Sequence, residues 1–251
     1  DVWQQGRGAF GGFSLGALAR AVLDSEPEAE RTVRSLTAAL TGPVLVGEAE
    51  ITVTLLRRGT GVSTFTAALR QPAQSGDEVL AHATVVLGRR RNLGTEFADH
   101  RMQPTAPAAL TGASDEVPEM PFIPGLMPNF TQHFVIRSAT PPFVGGGSVV
   151  TEGWVAPRRA LAQLDAPELL ALTDVYWPAF FALETQPRPG GTLSFTAQVF
   201  PPRAPLPLEQ PLYCRAVLLA AQDGYLYEQR ELWSADGQLL VLSPQTFAVV
   251  R

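Results

Sequence analysis

The chain has 251 residues, of which 45% are hydrophobic and 17% charged, with a formal net charge of −5. That length holds one large domain or two modest ones, and so much apolar content excludes wholesale disorder. A weakly acidic chain offers no surface for nucleic acid or anionic lipid, and no apolar run reaches the roughly 18 residues of a membrane span.

The first predicted element is a helix from Gly11 to Leu23. Phe13, Ala17, Leu18, Ala21 and Val22 recur at three-to-four spacing, with Gly11-Gly12 at the start and Pro27 beyond the end. Four strand-like stretches follow: Thr32–Leu40, Ala49–Leu56, Val62–Leu69 and, after a polar turn at Gln71–Asp77, Val79–Leu87. The second and third alternate cleanly, as in Ile51, Val53 and Leu55 against Thr52 and Thr54. Residues 92 to about 130 carry Pro104, Pro107, Pro118, Pro121, Pro124 and Pro128 with few periodic apolar residues, the composition of a linker draped over a surface or partly disordered.

The second half opens with strands Phe134–Ser138 and Ser148–Val155 around the run Gly145-Gly146-Gly147, read as a hairpin loop because no helix follows directly. A helix is predicted from Pro167 to about Glu184, then strands at Thr192–Phe200, Leu212–Ala221, Tyr225–Trp233 and Leu239–Val250. The order is again a helix and then four strands. Thr32-Val-Arg-Ser-Leu-Thr37 resembles Thr192-Leu-Ser-Phe-Thr196, and both this pair and Gly76-Asp77 against Asp236-Gly237 agree on an offset near 160 residues. A helix followed by meandering strands, with no strand–helix alternation, predicts antiparallel sheet wrapped round helix rather than a parallel α/β fold.

The one cysteine, Cys214, lies in an apolar strand and reads as a buried small side chain; no intramolecular disulfide can form, which favours a reducing compartment. Lysine is absent, which excludes a Schiff-base or phosphate-loop lysine. No signal-peptide pattern is visible, although a start at Asp1 leaves room for a preceding segment.

Several short motifs, in order, are similar to the acyl-CoA thioesterase II (TesB-like) family. Gly8-Ala-Phe-Gly-Gly-Phe13 runs into an Ala/Leu-rich helix as that family's start does, and Leu56-Arg-Arg-Gly-Thr-Gly-Val-Ser63 resembles its first strand–turn–strand. Leu172-Thr-Asp174, Thr192 and Ser243-Pro-Gln245 fall where the family carries its catalytic Asp, Thr and Gln. The strand after Thr192 departs, reading Ser194-Phe-Thr-Ala-Gln198 where the family often has Asp-His, and any strand before the first helix is missing. The resemblance implies an α+β double hotdog: two antiparallel sheets, each wrapped round a long central helix. Its N-terminal module would span 1–91, with a linker at 92–130 and a C-terminal module at 131–251. It also implies hydrolysis of a fatty or other apolar acyl-CoA by a cytoplasmic, cofactor-independent enzyme that forms a homodimer or larger homo-oligomer.

Thioester hydrolysis needs a held water, a base and donors for the forming oxyanion. An Asp can deprotonate water that a Thr hydroxyl and a Gln amide fix, so Asp174, Thr192 and Gln245 form the expected set. Gln245 interrupts an apolar strand, and a buried amide needs partners. Gly11 and Gly12 at a helix start are the expected oxyanion donors. Trp177, Phe180 and Phe181 are expected to line the acyl site or simply the core, and Arg89-Arg90-Arg91 could meet the coenzyme A phosphates. At the 160-residue offset, Asp174, Thr192 and Gln245 fall on Ser14, Thr32 and Val85, so one site per chain is expected, in the second half.

Two rivals remain. Gly12-Phe-Ser14-Leu-Gly16 has the form of a serine-hydrolase elbow, but no buried strand precedes it, and its base would have to be His82, His100 or His133. Those histidines also lack metal-ligand spacing. A non-catalytic acyl-CoA or acyl-carrier binding protein on the same fold is the second alternative.

Overall fold

The computed structural model describes residues 2–91, 106–111, 114–138, 141–159, 161, 164–202 and 205–249. His100 and Val250, which figure in the sequence reading, lie outside them. Two-residue strands β1 (Gln4–Gln5) and β2 (Gly8–Ala9) form a small hairpin before helix α1 (Gly11–Asp24). Then come β3 (Thr32–Leu40), β4 (Glu50–Arg58), β5 (Val62–Arg70), the single turn α2 (Pro72–Ser75) and β6 (Val79–Gly88). The second half contains β7 (Phe134–Ser138), β8 (Val150–Pro157), α3 (Ala166–Thr173), β9 (Gly190–Val199), β10 (Leu212–Gln222), β11 (Tyr225–Trp233) and β12 (Leu239–Val249).

Strands β3 to β12 make one antiparallel sheet in the order β4-β5-β6-β3-β9-β12-β11-β10-β8-β7. About the β3–β9 seam, where Leu36 faces Ala197 and Thr37 faces Thr196, β3-β6-β5-β4 is mirrored by β9-β12-β11-β10, and β8 and β7 extend the second side. Two half-sheets are therefore joined edge to edge, with both helices on one face. Alternation places Phe65, Ala67 and Leu69 of β5 and Phe195, Ala197 and Val199 of β9 on that face, where all are buried.

The two helices lie antiparallel and in close contact. At one end Arg20 of α1 reaches Asp165 (2.8 Å) and Glu168 (3.2 Å), the capping box of α3. At the other end Gly12 meets Ala171: a Cβ on Gly12 would come within 2.7 Å of the Ala171 carbonyl and 2.3 Å of the Phe10 ring. This is what the Gly12…Gly16 spacing does. The elbow reading fails here, because Ser14 is buried inside α1 and only the two-residue β2 precedes the helix.

The second helix is shorter than expected. It ends at Thr173, with Asp174 as its C-cap, and a 3₁₀ turn at Ala179–Ala182 follows. Pro178 explains the break: it lacks an N–H and disfavours helical geometry at Trp177. Of the Pro-rich stretch, the described parts lie against both halves. Phe130 stacks on Phe10 at 4.2 Å, and Leu110 packs with Trp154, Tyr213 and Trp233.

Candidate active site

The break after α3 brings Asp174 to the start of α1. No side chain within α1 caps its first turn. Instead the Asp174 carboxylate faces the backbone of that turn: the Gly12 amide holds its titration down, and a Cβ on Gly11 would stand 2.8 Å from Asp174 Oδ2. A helix N-terminus offers unpaired N–H groups and the positive end of its dipole, so a carboxylate is favoured there by roughly 0.3–2 kcal/mol.

Asp174 is 8% exposed. Burial pushes its carboxyl up to about 6, against the opposing pull of Arg230 and the Gly12 amide and with a further upward push from Glu228. The guanidinium of Arg230 lies 3.4 Å from Asp174 Oδ1 and donates to the Thr173 carbonyl at 3.2 Å. Its Nε donates to Glu228 Oε1 at 2.6 Å, and the second Glu228 oxygen accepts from the Ala179 amide at 2.8 Å. Glu228 and Arg230 are buried, and the Arg230 guanidinium lies over the Phe247 ring, 5.3 Å from its centroid.

Gln245 lies on β12 directly opposite Glu228 and is 1% exposed. Its amide nitrogen reaches Ser243 Oγ at 3.4 Å, while its Oε1 has no hydrogen-bond partner among the described residues. A bulge in β9 skips Leu193, so Thr192 pairs with Phe247 and shares the inner face with it and with Gln245. Asp174 and the two expected glycines thus meet directly, and Gln245 and Thr192 share the inner face of neighbouring strands.

The remaining expected residues divide. Trp177 stacks on Tyr176 at 4.1 Å, with its indole Nε1 buried and without a hydrogen-bond partner among the described residues. Phe181 packs on Phe143 and Phe180, and Phe180 joins Leu226 and Phe247 beside the Arg230 guanidinium. Arg89 and Arg90 lie elsewhere. Arg89 pairs with Glu28 beyond the C-terminus of α1, and Arg90 donates to the Pro202 carbonyl. A 14-residue helix, about 20 Å long, separates that end from Asp174. Cys214 is buried, and burial pushes its thiol up to about 12.

Sequence reasoning missed Glu228 and Arg230. Their signal was present, because β11 buries Leu226, Glu228, Arg230 and Leu232 in alternation, so two charges stand in the apolar phase of a strand.

A cleft of about 710 Å³ lies beside this cluster, lined by Trp3, Phe10, Phe13, Phe134 and Leu172 and bordered by exposed Arg158 and Arg159. Gly12 lines the cleft, and its amide also acts on the Asp174 carboxylate. Among the described residues no helix is long and apolar enough to cross a membrane.

The acyl-CoA thioesterase N-terminal domain matches residues 1–88, and the acyl-CoA thioesterase C-terminal domain matches residues 114–249. The chain belongs to the acyl-CoA thioesterase family. It is a thioester hydrolase on a hotdog α+β fold. Among solved structures, a hotdog protein of unknown function from Alicyclobacillus acidocaldarius is 24% identical with a TM-score of 0.84, covering 100% of this chain and 90% of that one. A putative thioesterase II from Thermobifida fusca is 20% identical with a TM-score of 0.76, again covering 100% and 90%. The acyl-CoA thioesterase II TesB2 of Mycobacterium marinum is 16% identical with a TM-score of 0.74, covering 96% and 89%. No curated protein matches the chain.

Proposed function

We propose that this thioesterase hydrolyses a fatty or other apolar acyl-CoA at a single site in its second half, using water activated by Asp174. The observation that carries this reading is the buried Asp174 carboxylate on the first turn of α1, beside an apolar cleft that shares Gly12 with it. In this reading Asp174 takes a proton from a water held by the Thr192 hydroxyl and the Gln245 amide, whose unpartnered Oε1 awaits a donor. The water oxygen bonds to the thioester carbonyl carbon. The Gly11 and Gly12 amides of the same turn are the donors for the oxyanion. The tetrahedral species then collapses, the C–S bond breaks, and the proton on Asp174 passes to the leaving thiolate. Positioned acid–base help of this kind contributes about 10²–10⁴ in rate.

The acyl chain would occupy the apolar cleft, with Trp177 and Phe181 close to the reacting end. Arg158 and Arg159 are the exposed cations bordering that cleft, and Arg89 and Arg90 lie with a separate one, so coenzyme A phosphates are better matched to the former. The mirrored strand order supports two hotdog modules, 1–91 and 131–251, joined by 92–130. A homo-oligomer, dimer or higher, is expected through the sheet face that carries no helix; light scattering that finds only monomer overturns that part. A single buried thiol is in keeping with a cytoplasmic setting.

One observation favours a binding protein without turnover: both Asp174 oxygens already have neighbours, Arg230 and the first turn of α1. The deciding experiment is hydrolysis of an acyl-CoA panel followed with a thiol-detecting reagent, for wild type, Asp174→Asn and Ser14→Ala. Turnover lost in Asp174→Asn and kept in Ser14→Ala supports the reading. Binding of acyl-CoA without turnover in the wild type supports the alternative.

A further inference from the structure

The segment from Thr173 to Ala179 carries Asp174 between the end of a helix and the start of a 3₁₀ turn, and both of its ends are tied to one strand. Arg230 Nη1 donates to the Thr173 carbonyl at 3.2 Å, an acceptor left over at the end of α3, and lies 3.4 Å from Asp174 Oδ1. Glu228 Oε2 accepts the Ala179 amide at 2.8 Å, at the start of the turn. The two strand residues are locked to each other at 2.6 Å and are buried, at 1% and 3% exposure. We propose that Glu228 and Arg230 of β11 are positioning residues: a buried ion-pair clamp that sets the Asp174 carboxylate against the first turn of α1.

The inference rests on the reading of Asp174 as the water-activating group. A pair of opposite charges two residues apart on one inner face suits the task. Each member fixes one end of the loop by a hydrogen bond, and together they bring no net charge beside the carboxylate. A charged pair costs desolvation that two apolar side chains would avoid, so its presence in the core calls for a positional reason. Burial works against the Arg230 charge, and Glu228 and Asp174 outweigh it, so the guanidinium stays ionised. The groups that face Asp174 are Arg230 and Glu228 from β11, the Cys214 thiol from β10, which stays neutral, and the Gly12 amide from α1.

Arg230 and Glu228 push the Asp174 titration in opposite directions, and this provides a test that a merely structural role would not pass. The Asp174 carboxyl is followed by ¹³C NMR titration in the full chain, alongside kcat and KM on an acyl-CoA, for wild type, Arg230→Met, Arg230→Lys and Glu228→Gln. The expected result is a higher Asp174 titration point in Arg230→Met, a lower one in Glu228→Gln and a value near wild type in Arg230→Lys. In the first two kcat should fall about 10²-fold with little change in KM, the loss typical of a catalytic group misplaced by about 1 Å. Should Arg230→Met fail to fold, Glu228→Gln and Arg230→Lys carry the same contrast. An unmoved titration point with kcat within a few-fold of wild type in Glu228→Gln overturns the clamp. Full activity in Asp174→Asn overturns the underlying reading; the clamp is then decided by whether the backbone resonances of residues 173–179 move in Glu228→Gln, which needs no turnover.

Discussion

Gln245 faces Glu228 across β12 and β11 at the same register point where Val85 faces Phe65 across β6 and β5. The correspondence follows from where the strands begin: Leu239 lies 160 residues after Val79, and Tyr225 lies 163 after Val62. One step further along, Arg230 faces Ser243 where Ala67 faces Ala83. The first half fills these inner positions with hydrocarbon, and the second fills them with two charges, an amide and a hydroxyl. A buried polar set of this size is costly unless its members pair. At these four facing positions it occurs in the second half alone, which supports the proposal that the chemistry lies there, although the first half buries its own ion pair, Arg31 with Glu26, elsewhere.

Asp174→Asn should therefore lower kcat by about 10²–10⁴ while leaving acyl-CoA binding within a few-fold of wild type. Ser14→Ala should retain full turnover, since Ser14 is packed inside α1. Steady-state kinetics on the same acyl-CoA checks both.

The pH dependence has a definite sign. Asp174 must be ionised to take a proton, so log kcat/KM should fall with unit slope below a midpoint of about 6 and be flat just above it. Stability runs the other way. A carboxyl raised from 3.8 to about 6 binds its proton more tightly in the folded state, so folding stability falls as pH rises through that window, by up to about 3 kcal/mol for this group. Urea melts at the two ends of the window should show wild type losing ground to Asp174→Asn as pH rises.

Gln245→Leu should separate stability from activity. Leucine is similar in size and needs no hydrogen-bond partner at this buried strand position, so the midpoint of thermal unfolding should stay near that of wild type. Turnover should fall at least tenfold, because the water loses one of its holders. A variant that loses both stability and activity would mean that Gln245 is a packing residue.

Gly12→Ala should be destabilised by about 1–3 kcal/mol, since the added methyl meets the Phe10 ring and the Ala171 carbonyl at once. It should also lose turnover, because relief of the clash moves the amide that holds Asp174. Circular dichroism melts and the thiol-release assay read the two effects separately.

The strands were legible in the sequence because alternation is a local signal. Thr32–Leu40 and Tyr225–Trp233 were read to the residue, and β5 and β6 to within one residue at their ends. The second helix was overextended because Trp177, Phe180 and Phe181 kept up an apolar spacing past Pro178, and the proline decided the backbone instead. Asp174, Thr192 and Gln245 are proposed through the resemblance, whereas Glu228 and Arg230 escape notice in the sequence because charges in a strand are ordinarily solvated. The contact between Asp174 and Gly12 joins residues 162 positions apart and depends on the helices lying antiparallel, which no local pattern announces.

The β3–β9 seam has a consequence for any attempt to divide this protein. Each of these strands is an interior strand because of the other, so a fragment of either half alone would present a full-length open edge of unpaired N–H and C=O groups. The same cut would strip Asp174 of the Gly12 amide, leaving the half proposed to carry the chemistry without the helix start that faces its carboxylate. Separately expressed halves should therefore stick to one another or to themselves, and hydrolysis should return when the two are refolded together.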